Sequence, residues 1–297
     1  MSPDECLESR RLEALGGLLR ALELESVGDD RFRAVGEPGR FDRVFGGQLL
    51  AQALFAASAT VTDKDPAALH ACFVEAGTPE HPVELVVDRV RDGRSMSTRR
   101  VTVQQAGRAL LVAIASFHTN PATPEVAGPV PSVPAPEELP VLQDWARALP
   151  PDLRTHGRSW VEQPPPLELR IGEAPTFLGG ASGSGTRSHW MRLPRDVGDS
   201  AVLHSALLAY ASDYLLLDMA FRSHPAGSGA GVLTGTSLDH AIWIHRPTHL
   251  GRWHLHTQET ITIGGDRGLV RGAIHDVDGR LVATVMQEVL VRPVTQR

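Results

Sequence analysis

The chain has 297 residues, 42% hydrophobic and 22% charged, with a formal net charge of −6. A chain of this size buries a core without a metal or disulfide staple, and its acidic balance argues against nucleic acid or an anionic membrane as the main partner. Cys6 and Cys72 form no CxxC spacing, no run reaches 18 apolar residues, and the N-terminus lacks an apolar signal core, so a reducing, cytoplasmic setting is expected.

In chain order, Leu7, Leu12, Leu15, Leu18, Leu19 and Leu22 recur among charges, the pattern of a short amphipathic helix ending near Glu25. Residues 31–35 read as a brief strand. The segment 41–61 is Ala-dense in its second half and free of proline, which predicts a helix buried on nearly all sides. Residues 67–118 predict about four strands rich in Val, Leu and Thr, turned at Asp92-Gly93 and Ala106-Gly107. Nine prolines between Pro121 and Pro151 exclude helix interior and central strand. That stretch is expected as a surface linker with one helical turn around Leu142–Leu149. Strand signals return at 166–173 and 188–193, a helix is expected over 199–222, and four strands over 232–292.

The two halves repeat one pattern. Residues 69–118 and 239–289 each open with a His in an apolar run, His70 and His240, then cross a Gly-Arg pair into a final apolar strand. Aligned on those landmarks, Ser237 faces Ala67 and Gln287 faces Ala115. One half carries hydrogen-bonding groups where the other has methyls, as a duplicated fold with one live site would. The expected organisation is a first repeat over 1–118, a proline-rich linker over 119–160, and a second repeat over 161–297 carrying the reactive residues. Each repeat is expected as an α+β unit, a long helix wrapped by a curved antiparallel sheet, because an apolar helix needs cover on most sides. The two units are expected to pair edge to edge.

Five segments in order, VFGGQLLAQAL (44–54), DGRSMSTRRV (92–101), LAYASDYLLLD (208–218), SLDHAIWIHRP (237–247) and ATVMQEVLVR (283–292), resemble the acyl-CoA thioesterase II family. The resemblance covers about residues 10–293. It implies a double hotdog fold, hydrolysis of acyl-CoA to a free fatty acid and coenzyme A without a cofactor, and homodimers of double units. In that family an Asp, a Ser or Thr, and a Gln hold the attacking water. By position these are Asp213, Ser237 and Gln287. The chain departs from the family at Phe73-Val74-Glu75-Ala76-Gly77 and at His118, which bears on the shape of the acyl pocket.

The residues also speak for themselves. Asp213 falls on a helical stripe with Ala206, Ala209, Leu216 and Ala220, where a carboxylate needs partners or a raised pKa. Backbone partners alone would make it structural. Gln287 shares a strand face with Leu281, Ala283, Val285 and Val289, so its amide needs a buried partner unless it lies at a rim. Ser237, taken alone, says little. Gly46 and Gly47, following Phe45, are candidate oxyanion donors at a helix N-terminus, or glycines that merely permit tight packing.

Other chemistries are set aside. GGASGSG (179–185) lacks the G-x-S-x-G spacing of a nucleophile elbow, and no strand is followed by G-x-G-x-x-G. His240, His245, His249, His254 and His256 crowd one stretch without HExxH, so no metal is expected. Arg99, Arg100 and Arg271 read as solvated strand residues. Two further readings stay open: a hotdog enoyl-CoA hydratase, which would couple the Asp to a His in the helix segment, and a catalytically silent acyl-CoA-binding protein.

Overall fold

The first helix, α1 (Pro3–Ala21), starts where the Ser2 hydroxyl accepts from the Glu5 N–H while the Glu5 carboxylate accepts from the Ser2 N–H. Two otherwise unpaired donors are thereby satisfied. The structure, a computed structural model, describes residues 2–38, 42–120, 126–151, 153–227 and 232–294. Phe41, at the head of the predicted second helix, and Pro121 and Pro124 of the linker lie outside the described residues.

Two short strands, β1 (Glu25–Gly28) and β2 (Arg31–Ala34), lead to helix α2 (Gly46–Ser58). Four strands follow: β3 (Asp65–Phe73), β4 (Val83–Asp92), β5 (Met96–Gln105) and β6 (Arg108–His118). From Gly47 to Ser58 every residue of α2 but Phe55 is buried. Its two buried amides are paired: Gln52 donates to the Ala21 and Val35 carbonyls, and Gln48 accepts from the Glu37 N–H.

The proline-rich stretch carries two short helices, α3 (Leu142–Arg147) and α4 (Arg154–Glu162). It does not simply lie on the surface, since Leu142, Ala146 and Leu149 join the core. The remaining elements are β7 (Glu168–Ile171), β8 (Arg187–Arg192), α5 (Ala201–Ser212), α6 (Leu216–Ser223), β9 (Leu233–Ser237), β10 (Asp239–Ile244), β11 (His254–Gly264), β12 (Arg267–Asp276) and β13 (Leu281–Pro293). The last region thus holds five strands where four were expected, because the register against β13 shifts by one residue at Leu238, between β9 and β10.

The two repeats pair edge to edge as expected, but the expectation of a long helix wrapped in each by a curved sheet is corrected. All the strands belong to one 13-stranded sheet in the order β1-β2-β4-β5-β6-β3-β10-β13-β12-β11-β8-β7, with β9 beside β13, and the outermost strands β1 and β7 do not pair. The sheet is open rather than closed or strongly curled. The join is β3 against β10, where Ala71 faces His240 and Leu69 faces Ile242. Each repeat would otherwise leave a row of edge donors and acceptors exposed there. Beneath the join α2 packs on α5. Each helix is covered by the other as well as by strands, so neither needs a sheet curled around it.

The helix expected over 199–222 is not continuous. It breaks into α5 and α6, with Asp213 at the C-cap of α5 and Leu215 in the left-handed region at φ 67°. The freed Tyr214 carbonyl is taken by the buried Gln258 amide at 2.7 Å. Arg99 is also not solvated: it is 1% exposed and donates to Thr60 Oγ1, the Thr60 carbonyl and Asp92 Oδ1. Its place on the strand alternates with Val101 and Val103, on the inward face.

Candidate active site

Three chain-distant elements bring the predicted polar residues together. Gln287 lies on β13 with its side chain on the buried face, alternating with Val285 and Val289. Ser237 ends β9 directly opposite Val289, which places it diagonally across from Gln287 on the same face. The Gln287 Nε2 donates to Ser237 Oγ at 2.7 Å and to Asp213 Oδ1 at 2.8 Å. Asp213 reaches this point because α5 stops there.

The second carboxylate oxygen of Asp213 accepts from the backbone N–H of Gly47 at 2.9 Å. The N-cap residue of α2, Phe45, makes no side-chain cap bond. A carboxylate from the other repeat therefore stands at the N-terminus of α2, where the helix dipole favours an anion. Gly46 and Gly47 leave no room for a side chain. A Cβ on Gly46 would lie 2.8 Å from Asp213 Oδ2, and one on Gly47 would lie 2.5 Å from both the Tyr210 carbonyl oxygen and Phe45 Cε1. Of the two candidate oxyanion donors, Gly47 is thus engaged by the carboxylate. Gly46, as the first residue of α2, has an N–H that no intrahelical acceptor can reach.

The Asp213 side chain is 6% exposed. Burial pushes its carboxyl up from the ordinary value to about 6, while the bonds from Gln287 and Gly47 pull the other way. Among the described residues its ionisable neighbour within 4 Å is His240, whose Nδ1 lies 3.9 Å from Oδ1. No metal centre competes for these groups: among the described residues, no set of three or more His, Cys, Asp or Glu could hold an ion.

Asp213, Ser237 and Gly46 line a cavity of about 620 Å³. Its walls are largely aromatic and aliphatic, with Phe45, Phe73, Phe177, Leu217 and Phe221, and Asp42, Arg43 and Glu75 add charge. Trp160, from α4 of the proline-rich stretch, stacks on Phe177 with centroids 4.8 Å apart and completes the apolar wall. Asp218 also reaches the lining. It is held by the backbone N–H and hydroxyl of Thr176 and pairs with the buried Arg187 at 2.7 Å. A carboxylate at one end and an apolar chamber beside it suit an acyl group delivered to a polar reaction centre.

Residues 37–118 match the acyl-CoA thioesterase N-terminal domain, and residues 130–291 match the acyl-CoA thioesterase C-terminal domain. The chain belongs to the acyl-CoA thioesterase II family. Acyl-CoA thioesterase 2 of Haemophilus influenzae is 32% identical over 285 residues, covering 94% of this chain and 98% of its own. Acyl-coenzyme A thioesterase 8 of Mus musculus is 33% identical, covering 91% of this chain and 87% of its own. Two solved structures, the tesB protein of Mycobacterium avium subs paratuberculosis and the acyl-CoA thioesterase II TesB2 of Mycobacterium marinum, each superpose with a TM-score of 0.76 at 31% identity. They cover 94% of this chain and 100% and 99% of their own, respectively. Thioesterase-family membership thus extends across both hotdog units.

Several groups near this thioesterase-family site escaped the sequence reading. His240 was visible as a repeat landmark and as one of five crowded histidines, yet neither reading placed it where it lies, buried behind Asp213. Trp160 lay in a stretch read as a surface link. Asp218, buried at 4% side-chain exposure, could have been flagged by its place among Leu215, Leu216, Leu217 and Met219, whereas Arg187, buried at 2%, is flanked by glycine and polar residues that give no such signal.

Proposed function

We propose that this chain hydrolyses acyl-CoA thioesters to a free fatty acid and coenzyme A by direct attack of water, with Asp213 as general base. The observation that carries the reading is the Gln287 amide, which braces Asp213 and Ser237 side by side at the wall of a largely apolar cavity. Both protons of that amide are spent on the brace, so Gln287 fixes the two oxygens rather than the water itself. Ser237 Oγ, accepting from Gln287, keeps a lone pair and its own O–H for the water. The water loses a proton to Asp213 as its oxygen attacks the thioester carbonyl carbon. The carbonyl oxygen gains negative charge, for which the Gly46 N–H is the nearest helix-terminal donor. The C–S bond then breaks, and the proton held by Asp213 passes to the departing sulfur. A general base in position supplies about 10²–10⁴-fold of rate, and holding the water adds to that.

The hydratase reading needs an imidazole that touches substrate. His240 lies behind Asp213 with its side chain fully buried and does not line the cavity, so it cannot deliver a proton to a bound enoyl group. Free-thiol release across acetyl- to palmitoyl-CoA, run beside loss of enoyl absorbance from crotonyl-CoA, tests the assignment. Thiol release is expected with the wild type and should fall about 10²–10⁴-fold in Asp213→Asn. Acyl-CoA binding with neither signal, or an Asp213→Asn variant with wild-type turnover, overturns it.

A further inference from the structure

Behind Asp213, on the side away from the cavity, the chain carries a histidine whose tautomer the surrounding bonds decide. Ser212 Oγ lies 2.9 Å from the Ala209 carbonyl oxygen and 2.9 Å from His240 Nε2. A carbonyl oxygen can only accept, so the single hydroxyl proton of Ser212 goes to Ala209. The remaining contact then requires His240 Nε2 to carry hydrogen and donate to Ser212 Oγ. His240 is 1% exposed, and burial drives its imidazolium form down to a pKa of about 3, so the ring is neutral at physiological pH. A neutral ring protonated at Nε2 has a bare lone pair at Nδ1. That atom is buried, has no hydrogen-bond partner among the described residues, and stands 3.9 Å from Asp213 Oδ1.

We propose that His240 is a positioning residue for hydrolysis: its bare Nδ1 disfavours the Asp213 carboxylate and accepts a hydrogen bond from the protonated carboxyl formed when water gives up its proton. This rests on the reading of Asp213 as the general base. No proton moves onto His240. The water O–H bond breaks as the new C–O bond forms, the carboxyl O–H formed on Asp213 turns toward Nδ1, and it turns back to the cavity to give the same proton to the sulfur as the C–S bond breaks. A hydrogen bond of ordinary length needs the two atoms to close by about 1 Å, within reach of a small side-chain rotation.

The groups that face this pair are few. Gly47 of α2 and Gln287 of β13 donate to the carboxylate, His256 of β11 lies beyond His240, and Tyr214 follows directly in the chain. His256 is itself held neutral, chiefly by burial, so it adds no charge that titrates with Asp213. Ser212 therefore sets the imidazole, and the imidazole adds to burial in holding a proton on Asp213.

Two measurements test this. Imidazole nitrogen NMR of the wild type, with the His240 signal assigned by its change in Ser212→Ala, should show the neutral Nε2–H tautomer. The activity test follows the acid limb of kcat against pH. Ser212→Ala leaves Nε2 without its acceptor, freeing the Nδ1–H tautomer to donate to the carboxylate. The limb should then move down by about one pH unit, a tenfold change in the ionisation of the base, with KM within twofold of wild type. His240→Leu, which removes the acceptor outright, should move the limb in the same direction. A merely structural role would lower yield or melting temperature, or scale kcat equally at every pH, without moving the limb. An Nδ1–H tautomer in the wild type, or an unmoved limb in a folded Ser212→Ala variant, overturns the inference. Hydrolysis that survives Asp213→Asn is a different failure, that of the base assignment itself.

Discussion

The backbone N–H of Gly47 and the carboxylate of Asp213, separated by 166 residues in sequence, meet at 2.9 Å where the N-terminus of one repeat's helix faces the C-terminus of the other's. The contact joins the two repeats and aims the carboxylate. It also leaves that carboxylate buried, so its charge is costly in the folded protein.

One consequence is a pH dependence of rate. The base works only as carboxylate, and burial raises its carboxyl to about 6. Turnover should be low at pH 5, rise through about pH 6 and level off above pH 7. A kcat profile whose acid limb lies at the ordinary carboxylate range would show that Asp213 is solvated in the working enzyme.

Stability should run the opposite way. A carboxyl with a folded pKa of about 6 and an ordinary value of 3.8 holds more proton in the native state between those limits, so stability falls as pH rises through the window. The shift is about two units, a penalty of about 3 kcal/mol at pH 7. Asp213→Asn removes that charge. Asn also turns an NH2 toward the Gln287 or the Gly47 donor, which offsets its stability by the same amount at every pH, but the fall in wild-type stability between pH 4 and pH 7 should be absent in the variant. Thermal melts across pH 4–8 check this, and an Asn variant that keeps the wild-type fall would contradict the burial argument.

Gly46 and Gly47 should separate function from folding. Gly47→Ala drives a methyl against the Tyr210 carbonyl and the Phe45 ring, so lowered thermal stability of a few kcal/mol is expected from overpacking at a helix–helix contact. Gly46→Ala meets the Asp213 carboxylate and the edge of Phe73, at the cavity wall. It should fold with smaller loss and yet lose at least tenfold in kcat. Melting curves and thiol-release rates on the two variants distinguish the cases.

Trp160 is expected to govern acyl length rather than chemistry. Its ring stacks on Phe177 against the cavity, well apart in sequence from the polar residues. Trp160→Ala enlarges the apolar chamber and should favour longer acyl groups, shifting the ratio of kcat/KM between long and short substrates by roughly 10-fold. The position of the acid limb should stay where it is.

The segments whose signal is short-range were legible in the amino-acid order. Alanine density and the absence of proline marked α2, alternation placed Gln287 on a buried face, and glycine turns marked β3 to β6, because a helix or strand period is set by neighbours a few residues away. The family resemblance named Asp213, Ser237 and Gln287, while the repeat showed that Ser237 and Gln287 had no polar counterparts in the other half. What only the tertiary structure decided depends on partners far along the chain. Leu215 takes a left-handed conformation without a glycine to announce it, held where Gln258 receives the Tyr214 carbonyl. Arg99 turns inward because Thr60 and Asp92 meet it there. Edge pairing of the halves was expected, but that β3 and β10 make the join and that the sheet stays open was not, and the exposure of Asp213 to cavity and histidine alike follows from where α5 is made to stop. Hydrogen bonds and buried charges are satisfied in space, and no local period records which distant residue will satisfy them.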